Sequence, residues 1–147
     1  MNMNAPAPAP AAVDKSLLEH ALKSVFAEWV RALDLRVLEA RAGEVLLALP
    51  VTAQHVHSGG VVSGQTLMAA ADTAMVLAVM SQLGAFRPMT TVQLQTSFLR
   101  PVAADAGAVH ITAKVLRLGK TLAFGDIALQ LPDGALAAHA TTTYALL

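Results

Sequence analysis

The sequence predicts an α+β fold in which an antiparallel sheet encloses one buried helix. The segment 64–80 is apolar on every helical face except at Asp72, so it must be buried on all sides. Four segments that alternate apolar and polar side chains follow it, and no βαβ alternation is present. A sheet that covers such a helix has to curve around it.

The N-terminal part predicts a tail and then an amphipathic helix. Residues 1–13 repeat alanine and proline without a basic segment or an uninterrupted apolar run, so we expect a disordered tail and not a signal peptide. Residues 14–33 place apolar side chains at helical spacing behind Asp14 or Ser16 as a possible cap. Residues 14–147 are expected to form a single domain, for which a chain with 55% hydrophobic residues has ample core material.

A hairpin and a loop lead into the buried helix. Residues 35–40 and 44–51 read as two strands, with Gly43 supplying the turn. Residues 52–60 are polar and rich in histidine and glycine, which indicates a loop that could carry chemistry. The buried helix is expected to stop near Gly84.

Four antiparallel strands are expected after the helix. The alternation between residues 89 and 101 marks the first strand. The remaining three strands are separated by tight turns at 118–120 and 132–134, and they span residues 107–119, 120–132 and 135–147. We expect these last three to form a meander.

Composition excludes several classes of function. Ten basic and ten acidic side chains cancel without any block of like charge, so we expect neither nucleic acid nor anionic lipid as a partner. The sequence has no cysteine, which removes disulfides and thiolate zinc sites and is compatible with a cytoplasmic protein. Asp72 would be costly in hydrocarbon, so the helix is not expected to span a membrane. Low charge and high apolar content favour a homo-oligomer.

Three short motifs carry a family resemblance. They are the glycine-rich run 57–65 with the Ala-Ala-Asp-Thr-Ala stretch 70–74, the segment 91–101 that closes in Phe-Leu-Arg-Pro, and the basic-Gly-basic turn within 115–121. With these motifs the chain resembles the hotdog-fold acyl-CoA thioesterases, in particular the group related to the phenylacetate-pathway thioesterase and to 4-hydroxybenzoyl-CoA thioesterase. The resemblance covers about residues 35–147.

The resemblance implies a fold, an assembly and one residue role. It implies a hotdog fold, and two subunits that pack their central helices side by side and antiparallel. It places Thr91 where the family has a water-orienting hydroxyl. The sequence departs from the family pattern twice, because His57 stands where the family often has asparagine and Ser63 where it often has histidine. Both side chains still offer hydrogen bonds.

Gly64 and Asp72 are the principal candidates for thioester hydrolysis. Free N–H groups at a helix N-terminus can stabilise an oxyanion, and glycine allows close approach, so the Gly64 N–H is the expected donor. Asp72 would act as general base or as nucleophile, and the sequence leaves both open. The two residues lie about 12 Å apart along one helix, so each site needs two subunits. Alternatively, Ser63 and Gly64 only cap the helix, and hydrogen bonds satisfy a structural Asp72.

The remaining candidate residues concern proton handling and substrate binding. His57, and less so His55, lies in the loop before the helix and could contact the attacking water or the carbonyl. No further ligand follows His55 and His57 at metal-binding spacing, so no metal site is expected. Cationic side chains could bind the phosphates of coenzyme A. The full set expected to bind substrate is Ser63, Gln65, Arg100, Arg117, Gly119 and Lys120.

The sequence thus predicts a hotdog-fold thioesterase that hydrolyses an acyl-CoA to CoA and a carboxylic acid. No cofactor is expected, since coenzyme A belongs to the substrate. Two alternatives remain open, namely a non-catalytic acyl-CoA-binding module and a hotdog enoyl-CoA hydratase or dehydratase that uses histidine and aspartate together. Phe86 and the methionines around the helix suggest an adaptable apolar pocket for the acyl group, and dimer and tetramer remain equally open.

Overall fold

The computed structural model describes residues 13–147, so the predicted tail lies outside the described residues except for Val13. Helices and strands follow in an order close to the one predicted. In chain order they are α1 (Lys15–Ser24), α2 (Glu28–Arg31), β1 (Arg36–Arg41), β2 (Glu44–Pro50), α3 (Gly64–Leu83), β3 (Met89–Phe98), β4 (Ala108–Leu118), β5 (Leu122–Gln130) and β6 (Leu136–Leu146), with a short 3-10 turn at Ala53–His55.

The six strands form one antiparallel sheet around α3. Their order is β1-β2-β4-β5-β6-β3, and every neighbouring pair is antiparallel. The hairpin of β1 and β2 is confirmed, with Gly43 at φ 80° in its turn, and so is the meander of β4, β5 and β6. β3 pairs with β6 and lies at an edge of the sheet. The predicted α+β architecture is therefore confirmed.

Both ends of α3 have the caps that its sequence predicts. At the start, the Ser63 hydroxyl oxygen accepts a hydrogen bond from the Thr66 N–H at 3.2 Å. At the end, Gly84 adopts the left-handed conformation at φ 77°, which costs glycine little. By length and composition alone α3 could cross a membrane, but most of its side chains are buried within this fold. Enclosure by the sheet explains why the helix is apolar on all faces.

The helix packs closely against the sheet at two points. At Gly125 on β5, a Cβ atom would lie 2.4 Å from Met75 Sδ and 2.7 Å from the Lys114 carbonyl oxygen, so only glycine fits. Near the C-terminal end of α3, the buried Ser81 hydroxyl oxygen accepts from the Gly43 N–H at 3.0 Å and lies 2.9 Å from the Arg41 carbonyl oxygen. These contacts join α3 to β5 and to the β1–β2 hairpin.

The expected N-terminal helix is confirmed in α1, but it does not continue over the whole of residues 14–33. The chain forms α1 with Asp14 as its cap, leaves helical geometry at Ala27 (ψ 151°), and forms the short α2. Val25 and Trp29, predicted on the apolar face, are exposed, whereas Leu33 is buried in the core. Burial of Leu33 in the core is favoured over continuation of the helix that the local periodicity predicts.

The alternation predicted for β3 is also interrupted. A bulge between Thr91 and Gln93 shifts the pairing with β6, and Val92 at the bulge is 59% exposed. Thr91, opposite Tyr144, lies on the side of the sheet that faces α3, where Tyr144 reaches Asp72. The bulge therefore changes which residues of β3 face the helix, and a strict period of two does not predict it.

The close approach at Gly125 leads to a stability prediction. Gly125→Ala should lower the free energy of unfolding by about 1–3 kcal/mol, because the added methyl group overlaps the fixed Lys114 carbonyl oxygen as well as the flexible Met75 side chain. Ala128→Ser, at a half-buried position on the same strand, serves as the control and should change stability by less than about 0.5 kcal/mol. Urea unfolding of the three proteins would check this, and equal stability of wild type and Gly125→Ala would contradict the packing described.

Candidate active site

The half-buried carboxylate of Asp72 is held by hydroxyl groups from two neighbouring strands. Thr91 Oγ1 on β3 lies 3.0 Å from Oδ1 and 3.2 Å from Oδ2 of Asp72. The Tyr144 hydroxyl on β6 contacts Oδ1 and lies 3.0 Å from the main-chain oxygen of Asp72. Thr91 and Tyr144 are direct partners in the β3–β6 register, so the sheet presents both hydroxyls to one point on α3. Thr73 does not compete, because its hydroxyl donates to the Ala69 carbonyl at 2.8 Å.

The surroundings of Tyr144 keep its hydroxyl protonated. The side chain is only 2% exposed. Burial raises the pKa of Tyr144 well above its ordinary value of 10.0, and the negative charge of Asp72 together with the hydrogen bond to it raises that pKa further. Tyr144 is therefore a hydrogen-bond donor throughout the pH range in which a folded protein works.

A cavity of about 360 Å³ opens beside Asp72. Its wall is apolar and aromatic except near the carboxylate, and α2 together with the residues between α1 and α2 supplies much of it. The lining residues beyond the Asp72 cluster include Phe26, Trp29, Val30, Val76, Phe86 and Met89. Met75 and Met80, which the sequence suggested for an apolar pocket, are instead fully buried in the core. The carboxylate thus faces a space that a small apolar group could enter.

Gly64 lies at a second cavity, which Asp72 does not reach. This space of about 370 Å³ is lined by the first turn of α3 and by the segment Phe98–Val102. The Phe98 ring lies so near Gly64 that an added Cβ would be 3.2 Å from its Cζ atom. Within residues 13–147 the Gly64 N–H has no acceptor, as expected at a helix N-terminus. Within one protomer, the proposed oxyanion donor and the carboxylate therefore lie on different cavities.

The loop before α3 places the two histidines differently. The His57 side chain is exposed, and its Nδ1 accepts a hydrogen bond from the Gly59 N–H at 2.8 Å. His55 is buried, and among the described residues its Nδ1 has no hydrogen-bond partner. Gln65 is exposed in the first turn of α3 and lines a smaller cavity together with His55. Ser63 serves as the helix cap, so its hydroxyl is already engaged.

The candidate coenzyme A ligands occupy opposite ends of the sheet. Arg100 lines the Gly64 cavity and donates from Nη1 to the Leu136 carbonyl at 2.8 Å. Arg117 and Lys120 are exposed at the β4–β5 turn with Gly119 between them. That turn lies at the Tyr144 end of the sheet, because the Leu146 N–H donates a hydrogen bond to the Thr121 carbonyl. Within residues 13–147, no three histidine or carboxylate side chains cluster as metal ligands.

Tyr144 is the member of this cluster that sequence reasoning missed. A signal for it existed, because the period of two along β6 places Tyr144 on the face that also carries Ala140 and Leu146. A buried tyrosine hydroxyl usually finds a hydrogen-bond partner. The sequence nevertheless offers no way to learn that this partner is Asp72, since the two residues are 72 positions apart.

Known proteins share this sequence pattern and architecture. The family model described as the thioesterase superfamily matches residues 59–138. The Saccharolobus solfataricus protein SSO2140 is 30% identical over 115 residues, which cover 78% of this chain and 80% of that protein. Its name describes it as an esterase. The chain therefore belongs to the thioesterase superfamily.

Solved structures from several organisms have the same fold. Zebra fish thioesterase superfamily member 2 is 27% identical, with 90% of this chain and 95% of that chain covered and a TM-score of 0.78. The Escherichia coli PaaI protein from the phenylacetic acid degradation operon is 22% identical over 90% of this chain and 91% of that one, with a TM-score of 0.78. A Streptococcus pneumoniae protein described as a hypothetical thioesterase, solved with coenzyme A, is 20% identical, with 80% of this chain and 90% of that chain covered and a TM-score of 0.74. The hotdog fold is thus confirmed.

The Asp72–Tyr144 contact can be checked by spectroscopy, because Tyr144 is the only tyrosine of the chain. The ultraviolet absorbance of tyrosinate should appear well above pH 10 in the folded wild-type protein, since burial and the Asp72 charge both raise the pKa of Tyr144. Asp72→Asn removes the charge but not the burial, so the absorbance step should move to lower pH without returning fully to 10.

Asp126→Asn is the matched control for that titration. Asp126 lies on β5 beside Lys114 and near His139, on the face of the sheet away from Tyr144. Its replacement should leave the tyrosinate step unchanged, with circular dichroism confirming that each protein is folded. An identical step in wild type and Asp72→Asn would contradict the contact between the carboxylate and the phenol.

Proposed function

We propose that this protein hydrolyses an acyl-CoA thioester to coenzyme A and a free carboxylic acid. The observation that carries the proposal is a single carboxylate on an otherwise apolar core helix, oriented by two hydroxyls at the wall of an apolar cavity. Such a carboxylate can act on a bound carbonyl compound while the cavity holds the apolar acyl group. Membership of the thioesterase superfamily and the coenzyme A in the Streptococcus pneumoniae structure support the same substrate class.

Asp72 has two routes to the same products. As a general base it takes a proton from water while the water oxygen forms a bond to the thioester carbon; the C–S bond then breaks and the proton passes to the departing sulfur. As a nucleophile it attacks the carbon itself, the CoA thiolate leaves, and water hydrolyses the resulting anhydride. Both routes consume one water molecule and yield one acid and one thiol. In both, negative charge develops on the carbonyl oxygen and needs a donor.

The Gly64 N–H of a second subunit is the proposed donor. Gly64 and Asp72 lie on separate cavities and about 12 Å apart along α3, so they cannot act on one carbonyl within a single subunit. Two copies related by a two-fold axis, with antiparallel α3 helices, would bring each Gly64 to the other copy's Asp72. The same operation would bring Arg100 of one copy toward the Arg117 and Lys120 end of the other. A composite phosphate site for coenzyme A would result.

The edge strand β3 supports a contact between copies. Its outer edge has no neighbour among the described strands, and exposed apolar side chains lie along it, including Val92 at 59% and Phe98 at 50% exposure. An exposed apolar edge favours pairing with another strand. β3 also carries Thr91, so pairing at this edge would place the interface beside the Asp72 cluster. Both dimer and tetramer are compatible with such a contact.

The first test measures thiol release from a panel of acyl-CoA esters. Asp72→Asn should lower kcat by about 10²–10⁴-fold, because the amide can neither take a proton nor attack the carbonyl. Asp126→Asn should retain wild-type turnover, and both variants should keep the wild-type mass by light scattering. Near-normal hydrolysis by Asp72→Asn would reject the mechanism. Tight acyl-CoA binding without thiol release by the wild type would favour a binding module, and hydration of an enoyl-CoA would favour a hydratase.

The second test asks whether each site uses two subunits. Gly64→Pro removes the N–H, and proline suits the first helical position because Ser63 already has the extended conformation that proline requires before it. Gly64→Pro alone should lower kcat by about 10²–10³-fold, whereas Gly64→Ala keeps the N–H and should lose less. The ring of Phe98 must shift slightly in both variants, which makes them a matched pair.

Mixing the two inactive proteins should restore activity. When Asp72→Asn and Gly64→Pro subunits are unfolded together and refolded as dimers, half of the dimers contain one copy of each. One of the two sites in such a dimer combines an intact Asp72 with an intact Gly64, so activity should return to about a quarter of wild type. Absence of any recovery, in mixtures shown by mass spectrometry to contain the mixed dimer, would place the complete site within one subunit.

A further inference from the structure

The hydroxyl cluster around Asp72 is asymmetric. The Tyr144 hydroxyl contacts Oδ1 of the carboxylate and not Oδ2, while the single proton of Thr91 is shared between Oδ1 at 3.0 Å and Oδ2 at 3.2 Å. Oδ1 therefore lies within reach of two donors, and Oδ2 of only one. A hydrogen bond to a carboxylate oxygen stabilises its negative charge and makes its lone pairs less available.

The single phenol proton of Tyr144 has two acceptors within reach, and the carboxylate is the stronger. The hydroxyl lies 3.0 Å from the main-chain oxygen of Asp72 and also contacts Oδ1. Hydrogen bonds to an ionised acceptor are shorter and about twice as strong as those to a neutral one. A purely structural tyrosine would be satisfied by the main-chain oxygen, so the contact with Oδ1 is an additional feature of this site.

We propose that Tyr144 is a positioning residue that holds the Asp72 carboxylate through Oδ1 and leaves Oδ2 as the oxygen that acts on water or on the thioester. The inference rests on the proposed thioester hydrolysis and adds a residue and an atom to it. Tyr144 acts through Asp72 and does not itself touch the reacting atoms. Thr91 contacts the same carboxylate from β3, where it is the direct partner of Tyr144 in the strand register.

The surroundings allow the effect to be isolated. Among the described residues, Asp72 and Tyr144 are the two titratable groups that line the cavity, and the other lining residues are apolar or carry hydroxyls. Because burial and the Asp72 charge raise the pKa of Tyr144, the phenol stays protonated and acts as a fixed donor. A change in the pH dependence of the rate on altering Tyr144 would therefore report on the carboxylate.

The test compares Tyr144→Phe with a control on the same strand face. Tyr144→Phe should lower kcat by about tenfold to a hundredfold with KM changed by less than about twofold, because orientation is lost but binding is not. The acid limb of its pH–rate profile should move to higher pH, since the ionised carboxylate loses a donor. Thr142→Val removes a buried hydroxyl that donates to the Gln93 carbonyl at 2.8 Å, and it should lose stability without changing kcat or the acid limb.

A second variant keeps the fold and changes only the strength of the donor. Because Tyr144 is the sole tyrosine, growth with 3-fluorotyrosine labels this position alone. Fluorine makes the phenol more acidic and a stronger donor, so the acid limb should move to lower pH, opposite to the shift in Tyr144→Phe. Unchanged acid limbs in both proteins, or wild-type kcat in a folded Tyr144→Phe, would overturn the positioning role.

These outcomes are distinct from failure of the proposed function. If the wild-type protein releases thiol from no acyl-CoA in the panel, the hydrolytic function is rejected and the positioning role with it. If wild type is active and Asp72→Asn is not, but Tyr144→Phe behaves like Thr142→Val, the hydrolytic function stands and the role of Tyr144 is rejected.

Discussion

The contact between the Asp72 carboxylate and two paired strand hydroxyls is the interaction on which the site depends. It joins the middle of the core helix to the edge of the sheet, because Thr91 and Tyr144 face each other across β3 and β6. A carboxylate among apolar neighbours is costly unless hydrogen bonds satisfy it. The two hydroxyls make a half-buried charge tolerable in α3, and they also orient it toward the cavity.

The enclosure of α3 determines where this charge can be used. The sheet covers the helix through close contacts such as Gly125 against Met75, and Ser81 ties the far end of α3 to the β1–β2 hairpin. The opening beside Asp72 is bordered by α2 and by the break that precedes it, so the N-terminal segment forms part of the cavity wall as well as covering the core. Exposed aromatic side chains at this opening, such as Trp29 at 65% exposure, lie where an apolar group or a second subunit would bury them.

The geometry of a single helix also explains why the proposed site needs two copies. A free N–H at the start of α3 and a carboxylate two turns later lie on different cavities, and no movement of side chains can bring them together. In the proposed dimer, a two-fold axis would solve this problem, since each copy would supply the group that the other lacks. The departures from the family pattern at His57 and Ser63 leave the fold unaffected, because one lies in an exposed loop and the other caps the helix.

Local patterns predicted most elements of this fold. The burial of α3, its caps at Ser63 and Gly84, the hairpin turn at Gly43 and the final meander all follow from side-chain periodicity and turn residues, which act over a few neighbouring positions. The break at Ala27 and the bulge at Val92 were not predicted, because at each position the regular local structure is interrupted in favour of contacts with residues far away in the sequence.

By itself the sequence determined that one carboxylate would lie within a buried apolar helix and that strands would surround it. Only the tertiary structure decided which groups meet that carboxylate. Thr91 and Tyr144 lie 19 and 72 positions from Asp72 along the chain, and they converge because of the register between β3 and β6. That register depends on packing and on a bulge, and neither leaves a local signature in the residues that it brings together.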